Sequence, residues 1–305
     1  MHNLHKRLQK MLLTGNDEME QENIDAEQRG CLNRDFHFFN LQDTQTMKFE
    51  PHFHDFCKIV LFLSGNVTYF IEGTGYTLKP GDILLINQFA IHKTVIEGNV
   101  PYKRMIMWFR PEYLDKFNQP DCNLLQCFAL ASRHKCNLLR FSFPLQQKLQ
   151  GLFGELADSC EKRNFGNAVL CTSLLLQILV YLNRATEQLP ASMTYIDREY
   201  DEMIDRVIAH IDANLTEELT IEKLASQFYL SKYYLMRKFK YYTGYSIHRY
   251  VLYKRLLAAH QLLKKGTPVM NACLESGFHD YANFARAFKK MYGYSPKQCQ
   301  VYNEF

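Results

Sequence analysis

The sequence is almost without tryptophan: a single Trp in 305 residues, beside 22 Phe and 19 Tyr. It also lacks any Cys-x-x-Cys pair. The nine cysteines are odd in number and scattered, which argues against a disulfide framework or a zinc finger and suits a reducing, cytoplasmic setting. No uninterrupted run of 18 apolar residues occurs, so no membrane span is expected. Met1–Gly30 is charged and polar, with no signal-peptide core, and reads as a tail or weak helix. With 47% hydrophobic residues the chain can still bury sizeable cores, and its length predicts two domains or three.

Acidic residues are scarce at one end. From Ser231 onward there are 13 Lys and Arg against only Glu275, Asp280 and Glu304, a net +10 in a chain whose total is +4. Residues 1–230 therefore carry a net −6. Such asymmetry suits a polyanion-binding end on an otherwise acidic protein.

The basic end says one thing twice. Ser231-Lys232-Tyr233-Tyr234-Leu235-Met236-Arg237-Lys238-Phe239-Lys240 runs on to Thr243-Gly244-Tyr245-Ser246. Asp280-Tyr281-Ala282-Asn283-Phe284-Ala285-Arg286-Ala287-Phe288-Lys289 runs on to Tyr292-Gly293-Tyr294-Ser295-Pro296, at an offset of 49. Each copy is a basic helix, capped by Ser231 or Asp280 and preceded by a shorter helix. Thr220 caps the first short helix and Thr267-Pro268 opens the second, with Pro at the first helical position. Leu235 and Phe239 share one face and predict burial, as do Phe284, Phe288 and Met291. Tyr233, Met236, Arg237 and Lys240 form a different, outward face. The turn of the second copy is one residue longer and holds Gly277, suited to positive φ. Ile247–Lys264 between the copies has neither Gly nor Pro and predicts one long helix, about 27 Å at 1.5 Å per residue. Two hairpins packed for structure alone would show the same shapes; the concentration of positive charge favours two helices placed in DNA major grooves.

These residues carry a family resemblance. Asp201–Tyr302 resembles the AraC/XylS family of bacterial transcription regulators. The matching motifs are Leu224-Ala225, Leu230-Ser231, Tyr234-Leu235, Arg237, Phe239-Lys240 and Gly244. They continue with Tyr250, Arg255, Leu262-Leu263, Gly277-Phe278, Asp280, Phe284, Phe288-Lys289, Gly293 and Ser295-Pro296. The resemblance implies base-contacting positions at Tyr233, Met236 and Arg237, and at Tyr281, Ala282, Ala285 and Arg286. Contacts to the DNA backbone are expected from Ser231, Lys232, Lys240, Asn283 and Lys289. Arg237 can pair with guanine, or make a phosphate contact or ion pair; Arg286 and Arg255 can instead support the domain internally. Small residues at 282 and 285 suit thymine methyls and backbone better than hydrogen-bonding base edges.

Before the basic end the pattern changes to short strands: Phe36–Phe39, Lys58–Leu63, Val67–Glu72, Tyr76–Leu78, Ile83–Ile86, Val95 and Tyr102–Trp108, with turns at Ser64-Gly65-Asn66 and Lys79-Pro80-Gly81-Asp82. Such a set predicts a sandwich or barrel. His52-x-His54, Gly65, Gly73, Pro80-Gly81-Asp82 and His92 resemble a cupin jelly roll. Metal-binding cupins add a Glu after the His pair; here there is none, and Lys58 puts a cation there instead. His52, His54, Lys58 and His92 are therefore candidates for contacting a small effector rather than a metal, and no cofactor is expected. The alternative is a metal-dependent cupin enzyme using His52, His54 and His92, with the basic helices as an accessory domain.

Leu145, Leu149, Leu152, Phe153, Leu156 and Cys160 recur on one helical face, and Asn167–Leu182 is apolar nearly all round, yet reads as too short for a bilayer. Such a helix needs cover on two sides; a dimer partner can supply one, as in the resembled family. The expected chain is thus a tail (1–30), a cupin-like sensing barrel with flanking helices (31–142), a helical dimerisation segment (143–187), a linker (188–200) and an all-α double helix-turn-helix domain (201–305). Expected partners are double-stranded DNA, a small-molecule effector, a second copy of the chain and, through the resemblance, RNA polymerase.

Overall fold

The computed structural model describes residue 32 and residues 35–43, 50–98, 100–162, 164–187, 198–199 and 201–301. The expected tail at 1–30 and nearly all of the expected linker at 188–200 lie outside these residues. The chain divides into two compact units, Met1–Ile71 with Tyr76–Arg198 and Glu72–Gly75 with Glu199–Phe305, so Thr74 and Gly75 at the start of the fourth strand are counted with the second unit.

The first unit contains β1 (Phe36–Asp43), β2 (Cys57–Ser64), β3 (Asn66–Ile71), β4 (Thr74–Thr77), β5 (Ile83–Ile86), β6 (His92–Glu97), β7 (Tyr102–Phe109) and β8 (Leu138–Leu139). One sheet has the order β1-β7-β2-β5-β8; in the other, β6, β3 and β4 are neighbours. The strands thus make a two-sheet sandwich of the jelly-roll kind, not a closed ring. β2 is apolar at nearly every position because both of its faces are covered. Ile59 and Leu61 face the helices, while Val60 and Phe62 join Val67, Tyr69, Ile106 and Tyr102 between the sheets. At the Pro80-Gly81 turn, the Gly81 N–H donates to the Phe62 carbonyl at 2.8 Å with φ at +91°. The buried Asp82 carboxylate accepts both Arg140 Nε and Nη2 at 2.7 Å, a two-pronged pair that ties this turn to the segment after β8.

Among the described residues the unit also holds the α-helices α1 (Pro111–Leu114), α2 (Gln126–Arg133), α3 (Phe143–Glu161) and α4 (Asn167–Glu187). α3 buries Leu149, Leu152, Phe153 and Leu156 as its periodicity predicts. α4 corrects the sequence reading. It continues past Leu182 to Glu187, and its 21 residues are long and apolar enough to cross a bilayer. Leu174, Leu175, Ile178, Leu179 and Leu182 are nevertheless buried in the core shared with α3 and the sheet, whereas Val169 and Leu170 are exposed. The two helices also bring Cys160 and Cys171 together, Sγ to Sγ 3.6 Å.

The second unit is helical: α5 (Glu202–Ala213), α6 (Ile221–Gln227), α7 (Lys232–Thr243), α8 (Ile247–Lys264), α9 (Val269–Glu275), α10 (Tyr281–Tyr292) and α11 (Pro296–Val301). Thr220, Ser231 and Asp280 accept the N–H three residues on, at 3.2, 3.2 and 2.6 Å, and so cap α6, α7 and α10. Pro268 is itself the cap residue of α9, one place before the expected position. α8 spans the predicted Ile247–Lys264 and supplies Leu256, Ala259 and Leu263 to a core with Ala272, Cys273, Phe278, Phe284 and Phe288. Each such large apolar side chain contributes roughly 1.5–3 kcal/mol by leaving water. Met291 is only partly buried, unlike the full burial its spacing suggested.

Candidate functional site

The two basic helices α7 and α10 are built alike. Each ends on a left-handed glycine, Gly244 at φ +80° and Gly293 at φ +81°, whose N–H returns to the carbonyl of Lys240 or Lys289 at 2.9 Å. Each hides its apolar stripe completely: Leu235 and Phe239 in α7, Phe284 and Phe288 in α10. The remaining surface faces water. On α7 Ser231, Lys232, Tyr233, Met236, Arg237 and Lys240 are exposed; on α10 Tyr281, Ala282, Asn283, Arg286 and Lys289 are exposed and Ala285 is half-buried. All the sequence-predicted positions on these helices therefore lie outside the core, and each set lies on one helix.

Their electrostatic states differ. The Arg237 guanidinium stands 5.9 Å from the Tyr233 ring centre, and no carboxylate among the described residues pairs with it. Lys240 and Lys289 have no such pairing either. Lys232 is bound to Glu222 at 2.7 Å; both ends are largely solvated, so this surface pair is weak and releasable. Arg286 folds along its own helix, Nε donating to the Ala282 carbonyl at 3.2 Å and Nη2 to the Asn283 side-chain oxygen. Arg255 points inward: Nε donates to the Leu215 carbonyl at 2.7 Å and Nη2 to the Glu217 carbonyl at 2.6 Å. Arg255 is thus a structural clamp. Sequence reasoning missed Asp201, which caps α5 through Ile204 N–H at 3.0 Å and forms an ion pair with Lys238 of α7. This pair ties α5 to the first basic helix.

A second cluster lies in the sandwich. The backbones of His52 and His92 exchange two hydrogen bonds at 3.0 and 2.9 Å, which sets their rings 4.3 Å apart. The His54 ring lies 4.8 Å from His92 and stacks on Phe56 at 3.9 Å. Each ring turns Nδ1 toward a backbone carbonyl: His52 to Glu50 at 2.8 Å, His54 to Phe56 at 2.9 Å and His92 to Ala90 at 2.8 Å. That assigns the proton to Nδ1 and leaves a lone pair on each Nε2. The Nε2 atoms of His54 and His92 are buried with no partner among the described residues. Burial, reinforced by the Lys58 cation, holds His52 down at about 4 and depresses His54 well below the usual histidine range. Burial with the neighbouring rings does the same to His92. The three imidazoles are therefore neutral at pH 7. Lys58 is itself buried, opposite Trp108 on β7. The structure thus gathers His52, His54, Lys58 and His92 as the spacing suggested. Among the described residues, no group of three or more His, Cys, Asp or Glu side chains is arranged to hold a metal ion.

Two family profiles match the chain. One, described as an AraC-like ligand binding domain, covers residues 40–179; the other, a helix-turn-helix domain, covers residues 224–300. The chain belongs to the AraC family of transcriptional regulators. The HTH-type transcriptional activator RhaS of Salmonella schwarzengrund is 26% identical over 254 residues, covering 82% of this chain and 86% of RhaS. RhaS of Escherichia fergusonii is 23% identical over 256 residues, covering 82% and 87%. Among solved structures, ToxT of Vibrio cholerae matches at TM-score 0.36 and 11% identity, over 88% of this chain and 98% of ToxT. A probable AraC family regulator of Rhodopseudomonas palustris matches at TM-score 0.32 and 30% identity, over 34% of this chain and 98% of that one. This AraC-family chain is a transcriptional regulator with a ligand-binding N-terminal domain and a helix-turn-helix DNA-binding domain.

Proposed function

We propose that α7 and α10 enter successive major grooves of one DNA duplex, with Tyr233, Met236 and Arg237 reading bases in the first and Tyr281, Ala282, Ala285 and Arg286 in the second. The observation that carries this is the duplicated design: two basic helices, each with a side-chain cap that accepts the N–H three residues on, a buried apolar stripe at matching positions and a left-handed glycine at its end, joined by one rod. α8 is about 27 Å long, close to the ~34 Å between grooves on one side of a duplex. Ser231, Lys232, Lys240, Asn283 and Lys289 hold phosphates and fix the register; Lys232 releases Glu222 to do so. Arg237 is the strongest base reader, because its guanidinium is exposed and unclaimed by any described carboxylate. Arg286 supplies less hydrogen bonding to bases while folded on Asn283, and Ala282 and Ala285 suit thymine methyls.

The sandwich unit is the sensor, with His52, His54, Lys58 and His92 lining the effector site. An effector shifts regulation only by binding one arrangement of the protein better than another. The chain works as a cytoplasmic homodimer, α3 and α4 with exposed Val169 and Leu170 supplying the contact, and acts on RNA polymerase as an activator, not as an enzyme. A salt titration of duplex binding tests the DNA assignment: log affinity falls linearly with log salt at a slope of about −0.9 per phosphate neutralised. A flat response overturns it.

A further inference from the structure

The interior cluster has a chemical preference of its own. Lys58 is buried between the sheets and meets no carboxylate among the described residues; its near partner is the Tyr69 ring, 5.9 Å away. Elsewhere in the same sandwich the buried Arg104 is paired with Asp43, and the half-buried Arg140 with the buried Asp82. An isolated buried charge is strongly unfavourable, so an anion is the missing component beside Lys58. The histidines ask for something different. Their Nδ1 atoms are occupied by backbone carbonyls, and the Nε2 atoms of His54 and His92 are acceptors without a donor. Trp108 adds an Nε1–H donor that is buried and unpartnered. Its ring and that of Phe56 lie 4.8 Å apart and form an apolar wall beside His54.

Single chemical classes leave part of this list unmet. A metal cation would sit beside Lys58 with no carboxylate to offset the repulsion. A neutral sugar would donate to the histidines but leave Lys58 uncompensated. A plain aliphatic acid would answer Lys58 but give no donor to either Nε2. An amine would repel Lys58.

We propose that the effector is a small hydroxylated carboxylate of the sugar-acid class, its carboxylate against Lys58, its hydroxyls donating to His54 and His92 Nε2, and its C–H face on Trp108. This rests on the sensor reading above and narrows it to one class of ligand.

Trp108 is the chain's single tryptophan, so emission excited selectively at tryptophan, away from the tyrosine band, reports on this cluster alone. The full-length protein is titrated with D-gluconate, D-galacturonate and D-glucuronate, with neutral D-galactose and D-glucose, and with propionate. At least one of the three sugar acids changes Trp108 emission saturably, at least tenfold more tightly than any neutral sugar or propionate. Lys58→Met weakens that binding at least tenfold without lowering the melting temperature, since it removes an unpaired buried charge. Neutral sugars binding as tightly as the acids, Lys58→Met binding the acid unchanged, or no response to any of the three acids overturns the assignment. DNA affinity measured in parallel separates the two readings. Acid binding without any change in DNA affinity sinks the sensor role and leaves the ligand class; a neutral sugar that alone changes DNA affinity does the reverse.

Discussion

The carbonyl oxygen of Leu215 stands 2.2 Å from where a Cβ on residue 277 would be, so Gly277 is the only residue that lets the α9–α10 turn close on the α5–α6 connection. The same carbonyl accepts Arg255 Nε at 2.7 Å. Tyr229 holds the matching place in the first helix-turn-helix copy, φ +56° against +87° for Gly277, but its side chain is 96% exposed and meets no such obstacle. Leu230 N–H then returns to Ala225 and Phe278 N–H to Cys273, at 2.8 and 3.0 Å, so the extra residue of the second turn is His279.

Gly277→Ala therefore destabilises the helical unit by more than the roughly 1–2 kcal/mol of a left-handed L-residue, because backbone must move as well. Tyr229→Gly, at an open site, is neutral or stabilising by up to about 1 kcal/mol. Urea unfolding of the full chain checks both. Equal midpoints for Gly277→Ala and the wild type would contradict the close approach.

Arg237→Ala relaxes base preference at one position by about 1–3 kcal/mol of discrimination. Lys240→Ala and Lys289→Ala weaken binding to all duplexes alike and reduce the salt slope by about 1. Competition binding against single-base variants of a selected site separates the two behaviours. A uniform loss for Arg237→Ala would make it a phosphate contact instead.

The buried histidines give the sandwich unit an acid-sensitive stability. His52, His54 and His92 have folded pKa values below the unfolded value of about 6.5, so the unfolded chain binds more protons as pH falls. Their contribution is complete above about pH 6.5 and is lost progressively toward the value of about 4 held by His52. Melting temperature followed from pH 7.5 to 4 declines through that window, and less steeply in His92→Gln. No slope above pH 4 would contradict the neutral cluster.

Much of this was legible in residue order, for identifiable reasons. β5 keeps its predicted bounds, Ile83–Ile86, because the Pro80-Gly81-Asp82 turn fixes where it begins. α8 keeps its bounds because Ser246 caps it and Gly266 follows it. What escaped was short or decided by distant contacts. α2 has two turns, too few to show a period, and β8 is two residues held by Asn137 at the Leu85 carbonyl. The Ile204, Val207, Ile208, Ile211 stripe behind the Asp201 cap was readable as α5 and was overlooked. The histidines were nameable from His-x-His, but the direction of each Nε2, set by carbonyls at Glu50, Phe56 and Ala90, was not.

The central claim, that one chain reads two grooves with α7 and α10, is tested most directly by in-vitro selection of the full-length protein on random duplex DNA. The account predicts enriched sites with two conserved blocks whose centres lie one helical turn apart, about 10–10.5 base pairs, with the Arg237→Ala protein losing one position of one block only. A single uninterrupted block, or no enrichment over the starting pool, would contradict it.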